Sequence, residues 1–147
     1  MRGFTLIEVL IVVTIIGIMA AISYPFYNSY RERVYRADVA AYMLEVAHNL
    51  QRYHMARQTY QGVTITDVGG ADFPKNGTQL YTIQIRDEAG RLLTAANANG
   101  QTWEMRAVPL GRMQGNGILC LNHLGQKYWA KGATECDLST NSNWDGK

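Results

Sequence analysis

Gly3-Phe4-Thr5-Leu6-Ile7-Glu8-Val9-Leu10-Ile11-Val12-Val13 opens an apolar stretch that runs to Ile22 and carries one ionisable group, Glu8. About 20 mostly apolar residues in a helix cross the hydrocarbon of a bilayer, so the stretch is long enough to span one. A carboxylate inside such a segment costs on the order of 2.5–3.5 kcal/mol on insertion scales and calls for a partner. One reading is a plain membrane anchor with Glu8 snorkelling to the interface. The sharper reading is a carboxylate kept for a cation that arises only after processing. Cleavage between Gly3 and Phe4 would expose an α-amino group one helical turn from Glu8, and a helix N-terminus already favours a nearby carboxylate. An ordinary secretory signal competes, with Ala21-Ile22-Ser23 as a small-x-small cleavage site. Glu8 inside the apolar core argues against it, and so does the helical pattern that continues past Ser23.

A small residue, a phenylalanine, a glutamate at the fifth position counted from Phe4 and then an apolar helix together resemble the class III signal of type IV pilins. The resemblance implies that a prepilin peptidase cuts after Gly3, removing a leader of residues 1–3, and methylates the amine of Phe4. It also implies that Glu8 engages the Phe4 amine of a neighbouring subunit during filament assembly. Pro25 falls where such proteins commonly carry a proline. The leader is unusually short, with Arg2 its only charge, which leaves room for an upstream start codon.

The segments expected beyond the leader are a hydrophobic helix over 4–30, serving as membrane anchor and filament core, and a globular domain over 31–147. A little over a hundred residues suffice for one core. The formal charge of +2 implies no strongly basic partner-binding surface. Cys120 and Cys136 are the only cysteines, and an even pair in an exported domain is most simply a disulfide. Zinc would need more ligands than Cys120 and His123 supply, and a Cys-His catalytic pair would need an orienting third group.

Past Pro25 the helix continues. Val39, Tyr42, Met43, Val46, Leu50 and Tyr53 recur at three- and four-residue spacing as one apolar stripe. Arg36, Asp38, Glu45, Asn49 and Arg52 fall mainly off it, and Glu32 with Arg36 makes a supporting pair. Unbroken from Phe4 to about Ala56, the helix would be roughly 80 Å long at 1.5 Å per residue. Pro25 costs an interior helix about 3 kcal/mol or a kink, and Gly17 adds roughly 1 kcal/mol. Gly17 and Pro25 are therefore read either as a bend or as a stretch that unwinds when subunits pack. Tyr81, Ile83 and Ile85 alternate in a first strand, and Asp87-Glu88-Ala89-Gly90 turns into a second around Arg91 to Ala95. Trp103, Met105 and Ala107 alternate after Asn99-Gly100, while Ile118–Leu121 and Lys127–Trp129 flank His123-Leu124-Gly125. The expected fold class is α+β, one long helix on an antiparallel sheet of about four strands. The segment from Tyr60 to Asn76 is a long connection.

Pro25-Phe26-Tyr27-Asn28-Ser29-Tyr30, Gln51-Arg52-Tyr53 with Thr59-Tyr60, and Leu121-Asn122-His123-Leu124-Gly125-Gln126-Lys127 are similar to PilE-type minor pilins of Gram-negative bacteria. The tail from Ser139 to Lys147 matches nothing assignable. The resemblance implies a structural subunit of a type IV pilus, a minor pilin that primes assembly and supports twitching motility, adhesion or DNA uptake. A pseudopilin of a type II secretion system is the alternative, although Asp67 and Asp72 are too few for the calcium site of major pseudopilins. The implied partners are other major and minor pilins, the prepilin peptidase, the inner-membrane assembly platform and the membrane itself. Location would be the inner membrane first and the extracellular fibre afterwards.

Arg31, Arg33 and Arg36 could meet headgroups or nucleic-acid phosphates, but three helix arginines more often form a solvated face. His48 and His54 do not share a helix face as metal ligands would, and Gly111, Gly115 and Gly117 lack the setting of a phosphate loop. Tyr128, Trp129 and Trp144 could be a binding patch, though strand aromatics are more often core. No acid–base pair or nucleophile constellation is visible, so the chain is read as not an enzyme, with no cofactor and no metal.

Overall fold

The computed structural model describes residues 3–139 and 142–145; Met1 and Arg2 of the leader, and Thr140, Asn141, Gly146 and Lys147 of the tail, lie outside the described residues. Helix α1 covers Leu6–Arg57, passing through Gly17 and Pro25 as helix. The chain forms two compact units, residues 1–35 and 36–147. In the first, none of the described residues is buried. Thr14 hides its hydroxyl by donating to the Leu10 carbonyl at 2.7 Å, which removes an unsatisfied donor from the apolar segment.

In the second unit the α1 stripe becomes one wall of the core: Val39, Tyr42, Met43, Val46 and Leu50 are all buried. The opposite wall is an antiparallel sheet, β1 (Asp72–Phe73), β2 (Tyr81–Arg86), β3 (Glu104–Pro109), β4 (Leu119–Asn122) and β5 (Lys127–Trp129), ordered β1-β2-β3-β4-β5. Strand alternation sends Tyr81, Ile83, Ile85, Met105, Ala107, Leu119 and Leu121 into the core. Gln84, Arg106, Cys120 and Tyr128 pair across four strands in one row. They belong to the opposite face.

The expected α+β fold, a long helix on an antiparallel sheet, is present, and one expected strand needs correction. The sheet has five strands, because the connection from Tyr60 to Asn76 folds into a short helix α2 (Ile65–Val68) and the two-residue β1. That connection is tied to α1 by Tyr42 Oη donating to Gly70 O and by Asn49 Nδ2 donating to Val68 O, at 3.0 and 2.8 Å. The strand expected around Arg91 to Ala95 does not form; only an isolated bridge joins Arg86 and Leu92. The buried carboxylate of Asp87 explains this. It accepts the backbone N–H groups of Ala89, Arg91 and Asn99 at 2.8–3.0 Å, which folds the chain on either side of the segment around one side chain and takes the Arg91 N–H from a ladder.

Cys120 and Cys136 are joined in a disulfide that binds the 130–139 loop to β4. The tail then covers the outer edge of β5: Ser142 N–H donates to Lys127 O, and Trp129 N–H donates to Ser142 Oγ. Trp129 is buried and Trp144 donates to Cys120 O at 2.8 Å, so these aromatics serve packing. Replacing both cysteines by serine should lower the melting temperature by an amount consistent with roughly 2–4 kcal/mol, as a loop of this size implies. Calorimetry of the full-length protein in detergent, oxidised against reduced, checks it. An unchanged transition would remove the structural role of the bridge.

Candidate functional site

At the N-terminus, Gly3 and Phe4 precede α1 in non-helical backbone, and Phe4 is exposed. Glu8 lies in the first turn of α1, where the helix dipole favours its charge. Its backbone N–H donates to Thr5 Oγ1 at 3.3 Å, and the Thr5 N–H donates back to Glu8 Oε2 at 3.5 Å. This reciprocal pair is a capping box, and it lies wholly beyond the expected cut after Gly3. Sequence reasoning assigned Glu8 to a neighbouring subunit and missed Thr5; the Thr-x-x-Glu spacing was the available signal.

In the second unit, the outer face of the sheet floors a cleft of about 240 Å³. Gln84, Arg106 and Val108 form the floor, the loop from Pro109 to Ile118 one wall, and Gly132, Ala133 and Thr134 the other. Gly117 (φ 98°) lets the walls meet, since a Cβ there would collide with the carbonyl oxygen of Ala130. The approach is sealed by Ile118 N–H donating to Ala133 O at 3.0 Å. The disulfide sets the position of the second wall, two residues beyond Thr134.

The polar groups of the cleft floor are held by residues beside it. Arg106 Nε donates to Glu104 Oε1 at 2.7 Å, and its Nη1 lies 3.4 Å from Glu135 Oε2. Arg86 Nη2 donates to Gln84 Oε1 at 3.2 Å. Arg106 is thus a positioned donor whose charge is balanced, while exposed Arg112 and Lys131 on the two wall loops supply cations. From Arg36 onward the chain carries eleven Lys and Arg against ten Asp and Glu, so attraction for an anion has to be local.

The arginines singled out beyond the apolar span are occupied in part. Arg31 donates to Tyr35 Oη at 2.7 Å. Arg36 lies 3.9 Å over the Trp129 ring and donates to Asn116 Oδ1 at 2.8 Å, which makes it a packing residue. His54 stacks on Tyr60 with 4.5 Å between ring centroids. Asp67 is bonded to Thr64 and Asp72 accepts from Gln79, each locally. Sequence reasoning did not single out Arg106, Gln114 or Lys131. Nothing local marks them, because only the strand register and loop closure bring them together.

An apolar helix entered through Gly-Phe-Thr-Leu-Ile-Glu and continued into the core of an antiparallel sheet with a C-terminal disulfide loop is the architecture of a type IV pilin. Residues 1–24 match the prokaryotic N-terminal methylation motif. Residues 25–123 match the family described as type IV minor pilin ComP, DNA uptake sequence receptor, and the chain belongs to that family. It is 27% identical to the type IV major pilin protein PilE1 of Neisseria gonorrhoeae over 105 residues, 71% of this chain and 58% of that protein. With the type IV major fimbrial protein FimA of Dichelobacter nodosus it shares 36% identity over 105 residues, 67% of this chain and 62% of the relative. With the type IV wide pilus major component PilA4 of Thermus thermophilus it shares 29% over 104 residues, 69% and 78% of the two chains. The chain thus spans about six-tenths of the length of the Neisseria and Dichelobacter pilins.

Proposed function

We propose that this pilin is cut after Gly3, methylated on Phe4, held in the inner membrane by α1 and then built into a pilus as a minor subunit that binds duplex DNA for uptake. The observation that carries the DNA reading is the cleft on the outer sheet face. Gln84, Arg106, Gln114 and Thr134 converge there, and the loops that form its walls also carry the exposed Arg112 and Lys131. Arginine and glutamine read guanine and adenine edges in the major groove, while exposed cations meet phosphates. The balance of charge in the domain suits a receptor that selects sequence more than one that gathers any polyanion. Arg36 and Trp129, being packed on each other, are left out of this surface.

Fluorescence anisotropy with full-length protein in detergent and labelled duplexes tests it. Arg112→Ala with Lys131→Ala should weaken binding to all duplexes alike. The slope of log affinity against log salt should fall by about 0.9 for each phosphate that the variant no longer neutralises. Arg106→Gln should narrow the difference between preferred and scrambled sequences, since one good bidentate base pairing by a side chain is worth about 1–3 kcal/mol of discrimination. Equal affinity of wild type and both variants for every duplex would place DNA binding elsewhere or nowhere. Deleting the gene and scoring surface pili, motility, transformation and protein secretion together separates the pilus reading from the secretion one.

A further inference from the structure

Directly after the apolar span, α1 carries Tyr24, Phe26, Tyr27 and Tyr30, which are 70%, 72%, 59% and 64% exposed. Arg31 and Arg33 follow within one turn. At about 100° per residue, Tyr24 and Phe26 lie on opposite sides of the helix, as do Arg31 and Arg33. A partner helix lying along one side would select a stripe. A plane crossing the helix selects residues by height, and that is the distribution seen here.

Height agrees with this. From Leu6 to Ile22 the helix rises about 24 Å, most of the roughly 30 Å of bilayer hydrocarbon. Tyr24 to Tyr30 then occupy about the next 9 Å, the level of the headgroups, where amphipathic aromatic rings are favoured. The Arg31 guanidinium lies 5.6 Å from the ring centroids of both Tyr27 and Tyr35 and donates to Tyr35 Oη. Cation and rings are thereby gathered at one level, with the charge on the water side of Tyr24 and Tyr27.

We infer that residues 24–33 form an aromatic and arginine collar that binds the phospholipid headgroup layer and sets the depth at which the unassembled subunit rests in the bilayer. The inference rests on the reading of α1 as a membrane span, which the structure supports by length and apolar composition near the N-terminus. It adds a second, separable interaction to that span: the hydrocarbon holds residues 4–22, and the headgroups hold the collar.

The test uses the full-length protein in vesicles of phosphatidylethanolamine and phosphatidylglycerol. Single substitutions Met19→Cys, Asn28→Cys and Ala41→Cys are spin-labelled while the native cysteines stay paired. Nitroxide accessibility to oxygen and to a water-soluble nickel chelate should place position 19 in hydrocarbon, 28 among headgroups and 41 in water. Adding Tyr24→Ser, Tyr27→Ser and Tyr30→Ser should shift the depth of the label at position 19 by about 3 Å or more, two residues of rise. A label at 19 lying in water would overturn the span and the collar with it. A label at 19 in hydrocarbon with 28 in bulk water, or an unmoved label in the triple variant, would overturn the collar alone.

Discussion

Filaments should almost wholly exclude the Glu8→Leu subunit, while its fold and its insertion in the membrane persist. The globular core draws nothing from Glu8, because every buried side chain among the described residues lies at or beyond Val39. In the bundle of apolar helices proposed above, by contrast, a Phe4 amine exposed by cleavage on a neighbour would be left without its counter-charge. Leaving one member of a buried ion pair costs several kcal/mol, and roughly 3 kcal/mol is about a hundredfold in an equilibrium. The capping box with Thr5 sharpens the test. Glu8→Gln keeps an acceptor for the Thr5 N–H but loses the charge, so it should fail nearly as completely as Glu8→Leu. Intact mass first establishes that each variant is cut after Gly3 and methylated, and immunoblotting of sheared pili then measures incorporation. Wild-type incorporation of the Gln variant would assign Glu8 to helix capping and remove the intersubunit role.

Asp87→Ala should cost the globular domain roughly 3 kcal/mol, the scale for stranding the partners of a buried carboxylate. Its side chain is fully enclosed. Besides three backbone N–H groups it binds Arg91, with Nη2 at 2.7 Å and Nε at 2.8 Å. Burial by itself would push this carboxyl up. The N–H groups of Asn99 and Arg91 and the Arg91 guanidinium outweigh it and hold the group at about 2, below the ordinary 3.8. With the native value depressed, the contribution to stability is complete above pH 3.8 and is lost as pH falls towards 2. Thermal melts of the full-length protein in detergent should therefore steepen downward across that window in the wild type. In Asp87→Asn they should start lower and change less. Identical slopes in the two proteins would show that Asp87 does not carry its charge into the folded state. Loss of the knot should also loosen the segment from Tyr60 to Gly62, which is stitched to the same loop through Tyr60 N–H to Gly100 O and Gly62 N–H to Leu93 O.

Local pattern carried much of the architecture. The change along α1 from uniform apolarity to a one-sided stripe, and the alternation in β2 and β3, are each produced by neighbours a few residues apart in the chain. Physical chemistry acting over one turn or one pleat was enough to place them. The Gly3-to-Glu8 run was equally local, which is why the class of protein could be read from six residues. Cys120 and Cys136 were paired by number and by exported setting, with no geometry needed.

What needed the tertiary structure was every feature whose partner is distant in sequence. The Arg91–Ala95 segment has strand-like residues, yet a buried carboxylate at Asp87 claims the Arg91 N–H and guanidinium and turns the chain there. Arg36 reads as a solvated helix charge until Trp129 and Asn116, far along the chain, fold against it. The cleft exists only because register sets Gln84 beside Arg106 and a glycine at 117 admits the Ala130 carbonyl. Such contacts depend on which chain segments meet, and no period of two or 3.6 residues records that.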